Sequence, residues 1–362
     1  MTDIINRWIR KYFSDPEGVI LAILLIAGFT VVIFFGDMLA PVIASVIIAY
    51  LLEGLVSNLE NRDFGRLSAT LMVFIPFVIF LLLLVLGLFP LLTGQITQLV
   101  QELPNMIGRG QEALLRLPEM YPKFISEDQL KELLGTLRSA VGTFGQNVVS
   151  FSLASITTLF ALIIYLILVP VLVFFFLKDK TTLINWVSSN LPRERALATR
   201  VWEEMNQQIG NYVRGKFSEI IIVGVVSYIV FLLLGLNFSL LLGALVGLSV
   251  IIPFIGAAAV TFPVALIAYF QWGWGADLAY AVAAYAVIQA LDGNILVPWL
   301  FSEAVNLHPI AIIIAVLLFG GIWGFWGVFF AIPLATLVKA VFNAWPRAED
   351  VEITADAKSG DE

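Results

Sequence analysis

Residues 220 to 276 run for 57 consecutive positions without an Asp, Glu, Lys or Arg, and residues 304 to 338 run for another 35. About 20 residues of helix cross the hydrocarbon core of a bilayer, so each stretch is longer than one crossing needs. Soluble domains carry roughly a quarter charged residues. This chain of 362 residues carries 13% charged and 60% apolar residues, which excludes an ordinary soluble enzyme. Hydrocarbon offers no hydrogen-bond partners to a bare backbone, so the apolar runs must be helices or broken helices packed in protein. Barrel strands would alternate with period two instead. The expected fold is all-α, a polytopic membrane protein of about eight transmembrane helices, with broken or re-entrant segments in the C-terminal half.

The runs fall near 19–35, 38–56, 68–92, 151–177, 217–235, 239–270, 277–291 and 305–342, the sixth and eighth overlong. The first follows Arg7, Arg10 and Lys11 and has no small-residue cleavage site, so it is read as a retained span. Asp37 between the first two spans is expected in an exposed turn. Lys and Arg number three in 1–18, two in 57–67 and seven in 178–216, the pattern of segments kept on the cytoplasmic side. Both termini are then cytoplasmic. The organisation expected is 1–92 with spans 1–3; 93–150 as an extracytoplasmic amphipathic helical cap broken at Pro104, Pro118 and Pro122; 151–216 with span 4 and cytoplasmic amphipathic helices; 217–345 as a transport core; and 346–362 as an acidic disordered tail. Trp186 and Trp202 are candidate interface anchors in the cytoplasmic helices.

Chemistry is bounded by what is missing. The chain has no cysteine and one histidine, His308, so thiolate and His-based metal sites are excluded, and no cofactor or metal is expected. A net charge of −7 gives no reason to expect nucleic acid. Gly210 to Lys216 matches the start of a phosphate-binding loop, but Phe217 stands where a magnesium-holding Ser or Thr is required. No protease constellation appears, so an enzyme is not expected.

Three features point to transport. Pro253 and Gly256 sit inside an apolar run, where proline removes a backbone donor, so a broken helix is expected there. Gln289, Asp292, Gly293 and Asn294, followed by Pro298, could coordinate a cation or hydrogen-bond a polar solute. An exposed turn with a solvated Asp292 is the plainer alternative, whereas an Asp292 at membrane depth would be functional by default. Third, His308 and Pro309 precede Gly320, Gly324, Gly327 and Pro333. The glycines form a face for close helix packing or sliding, and His308 is a candidate for proton coupling. Glu219 at the start of the fifth span and Glu53 in the second are the other carboxylates near the apolar zone, and both are compatible with an interfacial place.

The order of several motifs resembles the autoinducer-2 exporter-like (AI-2E) family of bacterial transporters, in particular its permease subgroup. They are Ala49-Tyr50-Leu51-Leu52, Phe176-Leu177-Lys178-Asp179, Tyr212 with Arg214 and Gly215, Ile252 to Gly256, Asp292 to Pro298, Leu307-His308-Pro309 and Ala331 to Leu334. The resemblance implies a multi-pass protein of the bacterial inner membrane, homo-oligomeric with a pentamer among the allowed states, moving a substrate without ATP. Some relatives look like exporters of a small quorum-sensing furanone, others like sodium or lithium/proton antiporters. The family's middle motif often has Glu or a shorter polar residue near the place of Asp292. The expected function is a secondary transporter exporting a small polar solute by alternating access, with the lipid bilayer, the solute and H+ or Na+ as partners. A cation/proton antiporter and a non-transporting membrane scaffold are the alternatives. In the transporter reading Asp292 binds a cation or the coupled proton, Gln289 and Asn294 orient the solute, and Pro253 and Gly256 expose backbone dipoles.

Overall fold

The computed structural model describes residues 16–115, 156–192, 195–301 and 307–344, with four isolated positions at 135, 136, 139 and 143. The expected tail and most of the expected cap beyond Leu115 lie outside the described residues. Among those described there are helices and no strands. They are α1 (Pro16–Glu60), α2 (Arg66–Leu83), a π-helical turn (Leu84–Leu88), α3 (Phe89–Leu115), α4 (Ile156–Lys178), α5 (Lys180–Ser189), α6 (Ala196–Leu233), α7 (Ser239–Ser249), α8 (Ile255–Trp272), α9 (Ala276–Leu291), a second π-helical turn (Asp292–Leu296), α10 (Val297–Phe301), α11 (Pro309–Phe329) and α12 (Ala331–Ala344). Among the described residues, seven stretches are long and apolar enough to cross a membrane, including Glu17–Gly36, Met38–Glu60 and Ala276–Phe301. The protein is an all-α, multi-pass membrane protein. Large apolar side chains such as Leu86 (72%) and Leu233 (81%) are exposed on these helices, as a chain surrounded by hydrocarbon allows.

The chain forms two compact units, one of residues 1–70, 169–216 and 299–362, the other of residues 71–168 and 217–298. In the first, α1 is an unbroken helical run of 45 residues, yet it cannot be straight. Glu17 Oε2 accepts from the Leu197 backbone N–H at 3.0 Å, and Tyr50 Oη donates to the Asn206 carbonyl at 2.6 Å. Positions 17 and 50 would be about 50 Å apart along a straight helix, whereas 197 and 206 are about 14 Å apart on α6. Side-chain reach adds no more than roughly 20 Å, so the run doubles back. Its two apolar windows divide at Asp37, and the helical backbone continues through that residue instead of opening into the expected turn. A Cβ at Gly36 would sit 2.5 Å from Trp323 Nε1, so this glycine lets α11 approach α1.

A cluster of charges holds the same unit together. Arg66 donates to both Glu53 oxygens at 3.1 and 2.8 Å, to Glu60 Oε2 at 2.7 Å, and through Nε to the Leu177 carbonyl at 2.9 Å. Lys180 Nζ reaches Glu53 Oε1 at 3.0 Å. Leu177 lies in the last turn of α4, where carbonyls lack intrahelical donors and a cation is favourable. One guanidinium thus ties α1, α2 and α4, with α5 attached through Lys180. Glu53 is therefore an anchor within the protein and not a free interfacial carboxylate. Replacing Arg66 with Met would take this partner from Glu60, which is 32% exposed, and leave Glu53, 16% exposed, with Lys180 as its remaining cation. The expected result is a loss of about 2 kcal/mol, read as a lower melting temperature in detergent, with part of it regained when Glu60→Gln is added.

In the second unit the core is apolar: Val223, Phe231, Leu242, Val246, Val264, Ala268 and Ala281 pack from α6, α7, α8 and α9, with Leu92, Ile96 and Leu99 of α3 against them. This explains why α3 stays helical through Pro104, expected as a break. Its amphipathic face is held by the core and by Gln95, whose Oε1 accepts from the Leu241 N–H at 2.8 Å. α6 ends where Gly235 adopts φ 72° and the Leu236 N–H returns to the Phe231 carbonyl, a glycine-terminated helix end. Gln271 then clamps the connection, donating to the Gly235 carbonyl and accepting from the Asn237 N–H, both at 2.7 Å. α6 and α7 touch at their backbones, since a Cβ at Gly247 would lie 2.7 Å from the Ile220 carbonyl oxygen and one at Gly243 2.8 Å from Tyr228 Cα.

The two overlong runs are both folded back. Residues seven and eight apart are about 10 and 12 Å apart along a helix. Here the Ser249 carbonyl abuts Gly256, and the Phe319 carbonyl abuts Gly327, so closely that neither glycine has room for a Cβ. The first reversal is Val250 to Phe254, where Phe254 takes φ 63°. The second is Gly324, with φ 58° and ψ −134° inside the helical run of α11. Each overlong apolar segment is a helical hairpin.

Candidate functional site

Asp292 does not lie in a turn between spans. It opens a π-helical turn inside the continuous helical stretch Ala276–Phe301, which is 26 residues long. It stands 16 residues from one end and 9 from the other, about 24 and 14 Å along the helix, inside a stretch long and apolar enough to cross a membrane. The turn has a local cause. Pro298 has no N–H to give to the Asn294 carbonyl, and its ring crowds that group. The Val297 N–H instead reaches back five residues to the Asp292 carbonyl, and Gly293 adds freedom to the widened turn. Leu84–Leu88 repeats the device, with the Phe89 N–H on the Leu84 carbonyl and Pro90 next. Such turns recur at functional positions of helices because they re-aim side chains.

Spacing of four and three places Tyr285, Gln289 and Asp292 along one face of the stretch. Tyr285 is 3% exposed, and its hydroxyl donates to the Ala257 carbonyl at 2.6 Å. The Thr261 hydroxyl donates to the same carbonyl at 2.9 Å. Ala257 belongs to the first turn of α8, just past the reversal at Phe254, so the polar stripe of α9 meets the hairpin that carries Pro253 and Gly256. The Gln289 amide nitrogen and Asp292 Oδ1 are both buried, and both residues are half-buried overall. Asn294 is on the opposite face, exposed, with its amide donating to the Ala290 carbonyl at 2.8 Å.

Glu219 belongs to the same unit. It is 2% exposed on α6 and falls in line with Val223, Ser227 and Phe231 at four-residue spacing, all buried. Its face is that of the apolar core, not of a solvated boundary. In the other unit, Lys216 is 4% exposed with Nζ 5.3 Å from the centre of the Phe301 ring. Tyr212 packs on the same ring and donates to the Phe329 carbonyl at 2.9 Å. A Cβ at Gly215 would lie 2.8 Å from Phe301 Cε1, so that glycine seats the ring. The segment 210–216 is continuous helix and not a phosphate-binding loop. His308, Pro309, Gly320, Gly324, Gly327 and Pro333 also fall in that other unit. His308 is exposed and caps α11, Nδ1 accepting from the Ile310 N–H at 3.3 Å with Pro309 next in the first turn. Gly320 packs on Val328 across the Gly324 reversal, and Pro333 is buried in the first turn of α12.

Sequence reasoning singled out Asp292 and Gln289 as candidates and did not single out Tyr285, Thr261 or Lys216, which the structure packs beside ring or carbonyl partners. The signal for Tyr285 was present: polar residues at 285, 289 and 292 recur at helical spacing in an otherwise apolar stretch. Lys216 carried no such signal, because a lysine beside a membrane boundary looks solvated until its ring partner is seen. Among the described residues no cluster of acids and histidine suits a metal ion. The site can hold a proton or small cation on a carboxylate, and can present a carboxamide and a phenol to a polar solute.

A sequence profile of the AI-2E family of transporters matches residues 21–347. The chain is 49% identical over 346 residues to Putative permease PerM of Escherichia coli (strain K12), covering 96% of this chain and 98% of that protein. It is 24% identical to Putative transport protein YueF of Bacillus subtilis (strain 168), over 86% and 85% of the two chains. A protein of Thermotoga maritima named Putative transport protein is 24% identical over 93% and 97%. With a profile match over nearly its whole length, on a multi-pass helical fold, the chain belongs to the AI-2E family of membrane transporters.

Proposed function

We propose that the protein is a secondary transporter that exports a small polar solute by alternating access, coupled to a proton or cation carried on Asp292. The observation that supports this most directly is a carboxylate on a π-helical turn inside a stretch long and apolar enough to span a membrane, with one oxygen buried, in line with Gln289 and Tyr285. An ionisable group in that position is costly, and an acid retained there is ordinarily part of a pathway. The hairpin of α7 and α8 supplies the moving part in this reading, with Tyr285 linking it to the stripe, and the hairpin at Gly324 supplies a second. Broken helices near the midplane are where transporters build substrate sites. Glu219 is a second carboxylate on the path. In this proposal the chain works in the bacterial inner membrane as a homo-oligomer with both termini cytoplasmic, an orientation supported by the basic residues of its loops.

The test uses purified full-length protein in ATP-free proteoliposomes that hold a pH gradient. Small polar metabolites are added singly, and internal pH is followed with an entrapped dye. The expected result is that at least one solute dissipates the gradient faster than in empty liposomes. A gradient untouched by every solute, and by sodium, would favour a scaffold over a transporter.

A further inference from the structure

α5 is a helix of ten residues with no buried residue. At 100° per residue, Leu183, Ile184, Trp186 and Val187 fall within an arc of about 160°, and Thr181, Thr182, Asn185, Ser188 and Ser189 take the opposite arc of about 120°; Lys180, the first residue, falls on the apolar side with its amine on Glu53. The apolar arc is uncovered: Leu183 is 38% exposed, Ile184 55%, Trp186 68% and Val187 51%. A soluble surface helix turns such an arc inward. A free helix this short is also below the roughly 12 to 15 residues that hold helical structure in water, so some surface must cover it.

Its position indicates which surface. Only Asp179 separates α5 from Lys178, the last residue of the apolar helix α4, so α5 starts where the chain leaves the hydrocarbon. Both ends are fastened. Lys180 pairs with Glu53, while the Arg195 guanidinium donates to the Ser188 carbonyl and hydroxyl at 2.6 Å each, and the Asn190 amide donates to the Trp186 carbonyl at 2.7 Å. The helix is thus held at the membrane boundary with its apolar side outward. Residues 178–216 carry seven basic and four acidic residues, a positive balance that favours an anionic leaflet. We infer that α5 lies in the bilayer interface, with Leu183, Ile184, Trp186 and Val187 sunk among the acyl chains and glycerol groups of anionic lipids. The same charge cluster that joins α1, α2 and α4 then carries a lipid contact, through Lys180 on Glu53. This assignment is independent of the transported solute.

The absence of cysteine from the chain allows single introduced cysteines to report depth in the intact protein. Spin labels are attached at Ile184→Cys, Val187→Cys, Thr182→Cys and Asn185→Cys in full-length protein in nanodiscs of phosphatidylethanolamine and phosphatidylglycerol. At 184 and 187, collisions with oxygen should exceed those with a water-soluble nickel chelate several-fold, and at 182 and 185 the order should invert. In phosphatidylcholine discs the contrast should shrink. Equal chelate access at all four sites would overturn the inference. Labels at 184 and 187 that are immobile and shielded from both reagents would overturn it too, because protein, such as a second copy, would then cover the face. A contrast identical in the two lipids would remove the anionic-lipid part of the assignment.

Discussion

Asp292→Asn is expected to keep the protein folded and to reduce solute-coupled proton movement in proteoliposomes to the level of empty liposomes. The replacement keeps the shape and an oxygen that can accept, and removes the charge and the proton. Two roles for Asp292 give opposite results in stability. If the carboxylate were there to hold the helix, its loss would lower the melting temperature. If it serves transport, it is retained at a cost, since an acid near the middle of a membrane helix is unfavourable by about 2.5–3.5 kcal/mol on insertion scales. Taking away a half-buried charge then leaves the melting temperature unchanged or higher. The expected pair of readings is lost coupling with undiminished stability. Full coupled flux in the variant would remove Asp292 from the pathway, and a destabilised variant would assign it a structural role.

The family and the helical class were legible because a bilayer leaves few solutions to a chain with 57 uncharged residues in a row. The hairpins were legible only as overlong runs with Pro and Gly inside. Pro253 and Gly256 marked the first reversal, yet prolines alone do not, because α1, α2, α3, α4 and α8 all carry one and stay helical. In hydrocarbon the penalty for leaving the helix exceeds that of one missing donor, so a proline more often widens or bends a helix than ends it. Pro90 and Pro298 show this, each following a π-helical turn. The same argument explains why Asp292 was compatible with an exposed turn in sequence and is part of a helix in space. Partnerships distant in sequence were not legible. Arg66 meets Leu177 across 111 residues, and Tyr285 meets Ala257 across 28. Periodicity shows which face a residue takes, not what that face meets.

The hairpins themselves yield the second large effect. Gly256→Val should abolish monodisperse protein in detergent, because any Cβ at 256 would collide with the Ser249 carbonyl. Overpacking against side chains costs about 1–3 kcal/mol; here the obstacle is backbone on the other arm, which cannot rotate away, and the cost belongs at or above the top of that range. Gly327→Val should do the same through the Phe319 carbonyl. Gly293→Ala is the control, since nothing lies within 4 Å of a Cβ there, and it should leave yield and elution profile unchanged. Gly324→Ala separates steric from torsional limits. It has no close neighbour but holds φ 58° and ψ −134°, a region that suits glycine, so it should lose about 1–3 kcal/mol and still fold. Fluorescence-detected size exclusion of the four variants ranks them. Normal profiles for Gly256→Val and Gly327→Val would mean that the two arms of each hairpin do not touch, and the hairpins could then not act as compact moving parts. The expected order, with both valine variants lost, the Gly324 variant weakened and the Gly293 variant intact, makes the tight seams of the two hairpins a requirement of the fold, and so leaves motion to each hairpin as a whole.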